Sequence, residues 1–285
     1  MRITAILASH NRREKTLTCL QSYFDQVVNS PVVLDAVLVD AGSSDGTARE
    51  VETRFVGVRI VREGASLFWS AAMARAESEA LALDPDALVW LNDDVVLEPG
   101  ALARLMRIAG DPRTTARIVV GRIHDPDSDE PTYGGVRRIG WHPLRFALVP
   151  PADEPVEAET FNGNLALVTR AAADAVGTFD GGFAHATADF DYGLRARALG
   201  IPILVAPGRA GVCRRNSDIG TWRDPALGAR ARWRSLLGPK GLPPRSMARY
   251  LRRHGGRAWP LFWITLYLKF ALSLAGVSLV RRLRR

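Results

Sequence analysis

The pattern of apolar and polar positions along the first hundred residues predicts strands that alternate with helices. Runs rich in β-branched and aliphatic residues predict buried strands at 2–8, 37–40, 58–61 and 88–91. Between them, apolar residues at helical spacing predict helices at 14–27, 47–55 and 71–83. Strands that alternate with helices favour an α/β fold, in which a mostly parallel sheet is covered by helices on both faces.

Polar side chains follow these strands at the points where the strands end. Asn11 comes after the first strand, Asp40 closes the second, and Asp94 follows the fourth. Ligands of such sheets bind beyond the carboxyl ends of the strands, so we expect the three side chains to surround a site. Asn92-Asp93-Asp94 offers hard oxygen ligands that suit Mg²⁺ or Mn²⁺ bridging to phosphates. Otherwise the same residues would only cap a helix.

Six segments resemble, in this order, the pattern of glycosyltransferase family 2, and together they cover residues 2–215. They are Ser-His-Asn-Arg at 9–12, Val-Asp-Ala-Gly-Ser-Ser-Asp-Gly-Thr at 39–47, Asn-Asp-Asp at 92–94, Phe-Asn-Gly-Asn at 161–164, Val-Gly-Thr-Phe-Asp at 176–180 and Asp-Phe-Asp-Tyr-Gly-Leu-Arg at 189–195. Asn-Asp-Asp resembles the family's Asp-x-Asp motif as a variant. The chain looks closest to bacterial surface-polysaccharide transferases, including rhamnosyltransferase-like members. The resemblance implies a GT-A nucleotide-sugar-binding fold and a catalytic domain at 1–215.

The resemblance also implies where a nucleotide-sugar donor and a divalent cation would bind. Asp94 would coordinate the cation, Mg²⁺ or Mn²⁺, and Asn92 would offer only a neutral oxygen. Asp40 would accept hydrogen bonds from the base or ribose. The other expected donor contacts are Ser9, Asn11, Arg12, Ser70, Asp93, Arg214 and Arg215. The last two would bind the diphosphate bidentately, or they would be solvated surface arginines.

By the resemblance, Asp189 is the expected catalytic base. The family places its base at the Asp of a Glu-Asp pair, and Ala188 replaces that Glu here. The replacement removes a neighbour that could raise the pKa of Asp189 by like-charge repulsion. Such a base implies a single displacement with inversion at the anomeric carbon. The expected acceptor contacts are Asn162, Gly163, Asn164, His185 and Asp191. Asp191 would otherwise stabilise a helix terminus, the two Asn residues would build a turn, and His185 would be structural.

A second departure from the family lies at Cys213. Family members often supply a metal-binding His after the helix that carries the base, whereas this chain has Gly211-Val212-Cys213-Arg214 there. A thiolate is a soft ligand that suits Mg²⁺ poorly, so Asp94, phosphates and water would hold the cation alone. Cys213 would equally serve as a small packing residue.

Charge divides the chain more sharply than any linker does. From Pro207 onward there are 18 Lys and Arg against 2 acids, whereas the residues before it carry 20 basic and 28 acidic side chains. An acidic body therefore carries a basic tail. Within the tail, 259–280 is predominantly apolar, approaches the length of a membrane span, and has arginines at both ends.

We expect residues 216–285 to form an extension whose helix at 259–280 lies on the inner leaflet, at the cytoplasmic face of the cell membrane. Pro260, Lys269 and the arginines at both ends disfavour a span, and the aromatic side chains suit the headgroup interface. Alternatively, the helix at 259–280 would span the membrane, or it would be buried within the protein or at a homo-oligomer contact. The resemblance implies a polyprenyl-diphosphate-linked or oligosaccharide acceptor, which the tail would bring to the site. Nucleic acid is disfavoured because no recognised motif accompanies the arginines.

Composition adds weaker bounds. The chain has 285 residues and two cysteines, Cys19 and Cys213, without a Cys-x-x-Cys pair, which favours a reducing cytoplasm. Its first residues predict a strand and no signal peptide. Residues 121–160, rich in Pro, Gly, Asp and Glu, predict a hairpin and loops over the pocket.

The expected activity is transfer of a hexose or deoxyhexose from a UDP- or dTDP-sugar. The rival from another class is a non-catalytic, membrane-attached scaffold or nucleotide-sugar-sensing module, which Ala188 and Cys213 keep open. A nicotinamide oxidoreductase is disfavoured because the first strand does not lead to a Gly-x-Gly-x-x-Gly turn. A nucleotidyltransferase would be distinguished by release of pyrophosphate.

Overall fold

A computed structural model describes residues 1–26, 31–185 and 187–283, with side chains described up to residue 274. Its strands are β1 (Arg2–Ser9), β2 (Val33–Ala41), β3 (Val58–Glu63), β4 (Ala87–Leu91), β5 (Val96–Leu97), β6 (Ile118–Val120), β7 (Ile123–His124), β8 (Pro131–Tyr133), β9 (Gly135–Arg138), β10 (Phe146–Leu148), β11 (Val156–Glu157), β12 (Thr160–Phe161), β13 (Leu165–Thr169), β14 (Ile203–Val205) and β15 (Gly211–Val212). Its helices are α1 (Arg13–Phe24), α2 (Thr47–Arg54), α3 (Trp69–Leu81), α4 (Ala101–Ala109), α5 (Arg170–Val176), α6 (Ala188–Ala198), α7 (Ala229–Leu237), α8 (Pro244–His254) and α9 (Trp259–Leu283). The predicted end of the first helix, residue 27, lies outside the described residues.

The central sheet has eight strands in the order β11-β14-β6-β13-β4-β1-β2-β3. Strand β1 pairs in parallel with β2 and β4, β2 pairs in parallel with β3, and β6 does so with β14. Strands β11 and β13 run antiparallel to their neighbours. The mostly parallel α/β sheet predicted from the sequence is confirmed. Strand β13 runs antiparallel between β4 and β6, which was not predicted from the sequence. Its neighbours lie far from it in the chain, so the local pattern of residues could not indicate this pairing.

Helices cover both faces of the sheet. Side chains of β1 alternate between two buried clusters, with Ile3 in one and Ile6 in the other. Trp90 of β4 lies in the second cluster, with its ring centroid 4.9 Å from that of Phe179 and 4.7 Å from that of Tyr192. Each such aromatic pair adds about 0.5–1.5 kcal/mol beyond its buried area. These contacts hold α6 against the strand that leads to Asn-Asp-Asp.

Two smaller sheets carry the chain around the site. The first has the order β10-β9-β12, and the second has the order β5-β15-β7-β8. Strands β9 and β10 form a hairpin within 121–160, as predicted. Strand β12 runs from this sheet into the Phe-Asn-Gly-Asn segment. Strand β5 starts directly after Asp94 and Val95 and pairs with β15, which ends immediately before Cys213.

The helices of the basic tail pack on the body. Tyr250 of α8 and Phe262 of α9 belong to the same buried cluster as Trp90. Trp263 Nε1 donates to the carbonyl of Pro244 at 3.0 Å, which fixes α9 on the start of α8. A helix therefore covers 259–280, as predicted. Within the described part of the chain, no helix combines the length and the apolar character that crossing a membrane requires.

Candidate active site

Strands β1, β2 and β4 end side by side, and their polar side chains meet there. Ser9 pairs with Asp40 in the register of β1 and β2. Asp40 is 4% exposed and accepts a hydrogen bond from Ser43 N–H at 3.1 Å. Asn11 lies in the left-handed region with φ of 53°, and its Oδ1 accepts from Ser44 N–H at 2.7 Å. The turns after β1 and β2 therefore hold each other at the sheet edge.

Arg12 joins the two acids that follow β4. Its guanidinium lies 2.6 Å from Asp93 and 3.1 Å from Asp94, and Lys15 Nζ lies 3.9 Å from Asp94. Burial raises the pKa of Asp93, although Arg12 opposes this. Sequence reasoning missed Lys15, which follows Arg12 by three positions and so lies on the same side of α1. An open groove of about 400 Å³ borders Asn11, Arg12 and Lys15, a size typical of small-ligand sites.

The protein oxygen atoms near Asp94 could hold a divalent cation only together with oxygen atoms of a bound donor. Asp93 Oδ2 is buried without a hydrogen-bond partner in the structure, and the Asp94 side chain is 11% exposed. Asn92 Oδ1 accepts from Trp69 Nε1 at 3.2 Å, so Asp94 is better placed than Asn92 to serve as a candidate metal ligand. No group of three His, Cys, Asp or Glu side chains among the described residues could hold a metal. Phosphate oxygens of a donor would have to complete the coordination.

Cys213 lies beside Asp94, where the resemblance puts a metal-binding His. Burial, together with the charge of Asp94 and a hydrogen bond to it, raises the pKa of Cys213 to about 12. The thiol therefore stays protonated at neutral pH, and it donates to the carbonyl of Arg214 at 3.4 Å. A protonated thiol is a poor ligand for a hard cation, so this geometry favours a cation held without Cys213.

Asp189 is held by two backbone N–H groups at the start of α6. Gly163 N–H donates to its Oδ2 at 3.0 Å, and Phe190 N–H donates to its Oδ1 at 2.9 Å. Burial raises the pKa of Asp189 to about 6, although these two hydrogen bonds lower it in part. The like-charge neighbour that Ala188 removes is therefore not required for a raised pKa. A carboxylate with this pKa suits a general base that works near neutral pH.

The indole of Trp69 lies between the Asp189 region and the Asn-Asp-Asp motif. Its Nε1 bonds to Asn92, and its ring lies against Gly163. A Cβ on Gly163 would stand 3.0 Å from Trp69 Cη2 and 3.4 Å from Asp189 Cβ. Gly163 therefore lets the backbone pass close to the indole of Trp69. Trp69 packs against the core and also forms part of the site.

The remaining acceptor-side residues lie close to this centre. The His185 ring centroid is 6.1 Å from that of Trp69. Burial, with the charges of Lys240 and Arg12, lowers the pKa of His185, so its ring is neutral. Asn164 is 7% exposed, and its carbonyl accepts from the N–H of Asn92 at 3.0 Å. Asn162 Oδ1 accepts from the N–H of Gly134 at 3.3 Å. This bond fits the alternative in which Asn162 builds a turn and does not contact the acceptor.

Several residues expected to contact the donor form hydrogen bonds or ion pairs within the protein instead. Ser9 Oγ lies 2.8 Å from Thr16 Oγ1 in the interior. Ser70 is fully buried, and its Oγ donates to the carbonyl of His185 at 3.3 Å. The exposed Arg214 pairs with Asp127 at 2.9 Å, and Arg215 donates to the carbonyl of Thr132 at 3.5 Å. For these four residues the structure favours structural or surface roles over donor binding.

Asp191 differs most from its expected role as an acceptor contact. Its side chain is 0% exposed and lies 3.0 Å from Arg195, 3.0 Å from Arg253 and 2.9 Å from His254. Although burial opposes the change, hydrogen bonds from His254 and Arg253 lower the pKa of Asp191. An acceptor cannot reach carboxylate oxygens that are enclosed in this way. Because Arg253 and His254 belong to α8, Asp191 instead attaches the tail to α6.

Comparisons with known proteins concern the family and the fold of the chain. Residues 4–177 match the family model described as Glycosyl transferase family 2. No curated protein matches the chain in a sequence search. Solved structures with a similar fold include GalNAc-T7 with UDP, GalNAc and Mn²⁺, which is 15% identical with a TM-score of 0.61 over 92% of this chain. This chain spans 56% of that one.

Two microbial structures are similar over nearly the whole chain. The mannosyltransferase PcManGT from Pyrobaculum calidifontis, in complex with GDP-Man and Mn²⁺, is 16% identical with a TM-score of 0.54, covering 97% of this chain and 84% of its own. S. aureus TarS 1–349 is 12% identical with a TM-score of 0.55, covering 91% of this chain and 74% of its own. At such identities the likeness concerns the fold alone, and it confirms the GT-A fold predicted from the motifs.

Proposed function

Because the chain belongs to glycosyl transferase family 2, we propose that it transfers a sugar from a nucleotide-diphosphate donor to a saccharide acceptor. The observation that carries this proposal is the environment of Asp189. This carboxylate has a pKa of about 6 and is held by Gly163 N–H. It is joined through Trp69 to the motif that contains Asp94. The proposed base and the proposed phosphate-binding region would thus adjoin one another, as a sugar transfer requires.

The donor would bind at the ends of β1, β2 and β4. Asp40 and Asn11 lie in fixed turns and would contact the nucleoside, while Arg12 and Lys15 would attract the diphosphate to the groove. Mg²⁺ or Mn²⁺, held by Asp94 and donor phosphates, would neutralise the departing diphosphate. The likeness of the motifs to bacterial surface-polysaccharide transferases favours a UDP- or dTDP-sugar that carries a hexose or deoxyhexose.

Asp189 would take the proton of the acceptor hydroxyl. The hydroxyl oxygen forms a bond to the anomeric carbon while the bond from that carbon to the diphosphate oxygen breaks, and the attack from the opposite side inverts the configuration. The N–H groups of Gly163 and Phe190 fix both carboxylate oxygens of Asp189. The neighbouring Asn164 and the neutral ring of His185 would contact the acceptor.

The acceptor would be an oligosaccharide or a polyprenyl-diphosphate-linked sugar at the cytoplasmic face of the cell membrane. The basic tail supports this location, because residues from 207 onward carry 18 Lys and Arg against 2 acids. Cations close to an anionic leaflet each contribute about 1 kcal/mol of attraction. Such an enzyme would act in the synthesis of cell-surface polysaccharide.

The Asp189→Asn variant tests the proposed reaction. We expect transfer to slow by about 10²–10⁴-fold while donor affinity is unchanged, because the amide cannot take the proton. Asp174→Asn is the matched control, since Asp174 is 59% exposed and pairs only on the surface with Arg170. A wild-type protein that binds a donor but transfers no sugar to any acceptor would support the non-catalytic scaffold instead. Wild-type rates in Asp189→Asn would remove Asp189 as the base.

A further inference from the structure

The tip of the β9–β10 hairpin and one side of α9 expose apolar side chains next to each other. Trp141, at the tip, is 81% exposed. The exposed side chains of α9 are Leu261 at 65%, Ile264 at 52%, Leu268 at 53% and Leu272 at 63%. Their spacing of three, four and four residues places them on one side of the helix. The Trp141 ring centroid lies 5.4 Å from that of Phe262 in α9, so the tip adjoins the helix.

The other sides of α9 are packed against the protein. Phe262 is buried in the main core cluster, and the Tyr267 hydroxyl donates to the carbonyl of Leu242 at 2.8 Å. The Phe270 ring centroid lies 5.6 Å from that of Trp222 and 5.9 Å from that of Trp233. The helix is thus fixed in rotation, and its exposed side is a definite surface.

This surface holds a large share of the exposed apolar side chains. Twelve large hydrophobic residues are exposed in the described part of the chain, and five of them are Trp141, Leu261, Ile264, Leu268 and Leu272. A concentrated apolar patch of this kind marks an interaction site in a protein that otherwise buries such residues. We call these five residues the docking face.

The charges around the docking face are positive. The chain has no Asp or Glu after Asp224, and Arg252, Arg257 and Lys269 are exposed beside or within α9. Lys269 and Arg145 also lie close enough to His142, next to Trp141, to lower its pKa together with burial. Two copies of the protein joined through this face would bring like charges together, which disfavours a second copy as the occupant.

We propose that the docking face seats the protein on an anionic lipid bilayer. The apolar side chains would enter the acyl boundary, Trp141 would lie at headgroup level, and the surrounding cations would contact lipid phosphates. The hairpin thereby gives the catalytic body its own membrane contact beside that of the tail. Strand β9 pairs with β12, which leads to Gly163 and the base. This orientation toward a lipid-linked acceptor rests on the proposed function, whereas bilayer binding does not.

Flotation of the purified full-length protein with lipid vesicles tests the proposal. Vesicles of phosphatidylcholine alone would be compared with vesicles that contain one quarter phosphatidylglycerol. We expect the wild type to float with the anionic vesicles, and Leu268→Glu and Trp141→Ala each to lower the partition coefficient about tenfold. Val56→Glu is the matched control, because Val56 is fully exposed on another part of the surface. It should float like the wild type.

The outcomes separate the partners and the two proposals. Circular dichroism melting of each variant confirms folding, which changes at exposed positions should leave intact. Equal flotation of Leu268→Glu and wild type would overturn the docking face. A wild type that does not bind the vesicles would also overturn it. So would a wild type that forms a dimer, if Leu268→Glu dissociates the dimer and vesicles have no effect. Because flotation needs no donor, its failure in an enzyme that transfers sugar removes only this inference.

Discussion

Arg253 lies 3.0 Å from Asp191, and this ion pair joins a helix of the basic tail to the helix that carries Asp189. Arg253 also lies 2.7 Å from Asp180, and His254 lies 2.9 Å from Asp191. Asp191 is 0% exposed and follows Asp189 by two residues. The tail is therefore fixed to the helix that carries Asp189, and we predict that it helps to position this proposed base.

Arg253→Gln should lower kcat for sugar transfer by about tenfold or more while donor affinity is unchanged, because the base helix loses its fixed position. The free energy of unfolding should fall by about 1–2 kcal/mol, since the buried carboxylate of Asp191 loses one partner and keeps Arg195 and His254. Steady-state kinetics and urea unfolding measure the two effects. Arg252→Gln is the control, because Arg252 lies over the ring of Trp259 at the surface. Unchanged kcat in Arg253→Gln would contradict the positioning role.

The pH profile of wild-type transfer should fall on the acid side of about pH 6, where burial has raised the pKa of Asp189. The base must be ionised to accept a proton, so kcat/KM should drop about tenfold per pH unit below that value. A profile that stays flat to pH 4.5 in a folded enzyme would argue against Asp189.

The same raised pKa predicts an effect on stability. A carboxyl group with a folded pKa of about 6, above its unfolded value, stabilises the fold at low pH. That stabilisation is lost as the pH rises through 6. Asp189→Asn should therefore melt at or above the wild-type temperature at pH 8. A clearly lower melting temperature there would mean that the ionised carboxylate stabilises the fold.

Gly163→Ala should lower kcat by about tenfold to a hundredfold, because a Cβ 3.0 Å from Trp69 Cη2 would displace the indole that packs between Gly163 and Asn92. Donor affinity, measured by calorimetry, should change little, since the nucleoside and diphosphate would bind elsewhere. Gly228→Ala is the matched control, because a Cβ there meets no atom within 4 Å. Equal kcat in the two variants would show that the close approach at Gly163 is unimportant.

Cys213→Ser should keep the wild-type dependence on Mn²⁺, because burial and the charge of Asp94 raise the pKa of Cys213 and leave its soft thiol a poor ligand for a hard cation. Activity as a function of Mn²⁺ concentration provides the measurement. Asp94→Asn, in contrast, should raise the Mn²⁺ concentration needed. A shift of similar size in Cys213→Ser would identify the sulfur as a ligand.

Local pattern was enough to predict the strands that end at the site. The runs that become β1, β2 and β4 are apolar and continuous, so their ends, with Asn11, Asp40 and Asp94, can be located without a structure. The family resemblance added Asp189, whose raised pKa local sequence did not predict. That pKa comes from burial in the folded protein.

The roles that the sequence did not reveal depend on distant partners. Asp191 resembles an accessible first-turn acid until Arg253, 62 residues later, encloses it. Asn162 and Arg214 likewise bond to Gly134 and Asp127. Propensity and spacing describe only neighbours in the chain, so they cannot distinguish such side chains from ligand contacts.

Calorimetric titration of UDP-, dTDP- and GDP-sugars, with and without Mn²⁺, tests the nucleotide-sugar site most directly. We predict that the wild type binds one donor in a Mn²⁺-dependent manner and that Asp94→Ala loses this binding while remaining folded. Failure of a folded wild type to bind any of these donors, or full Mn²⁺-dependent binding by Asp94→Ala, would contradict the proposed site.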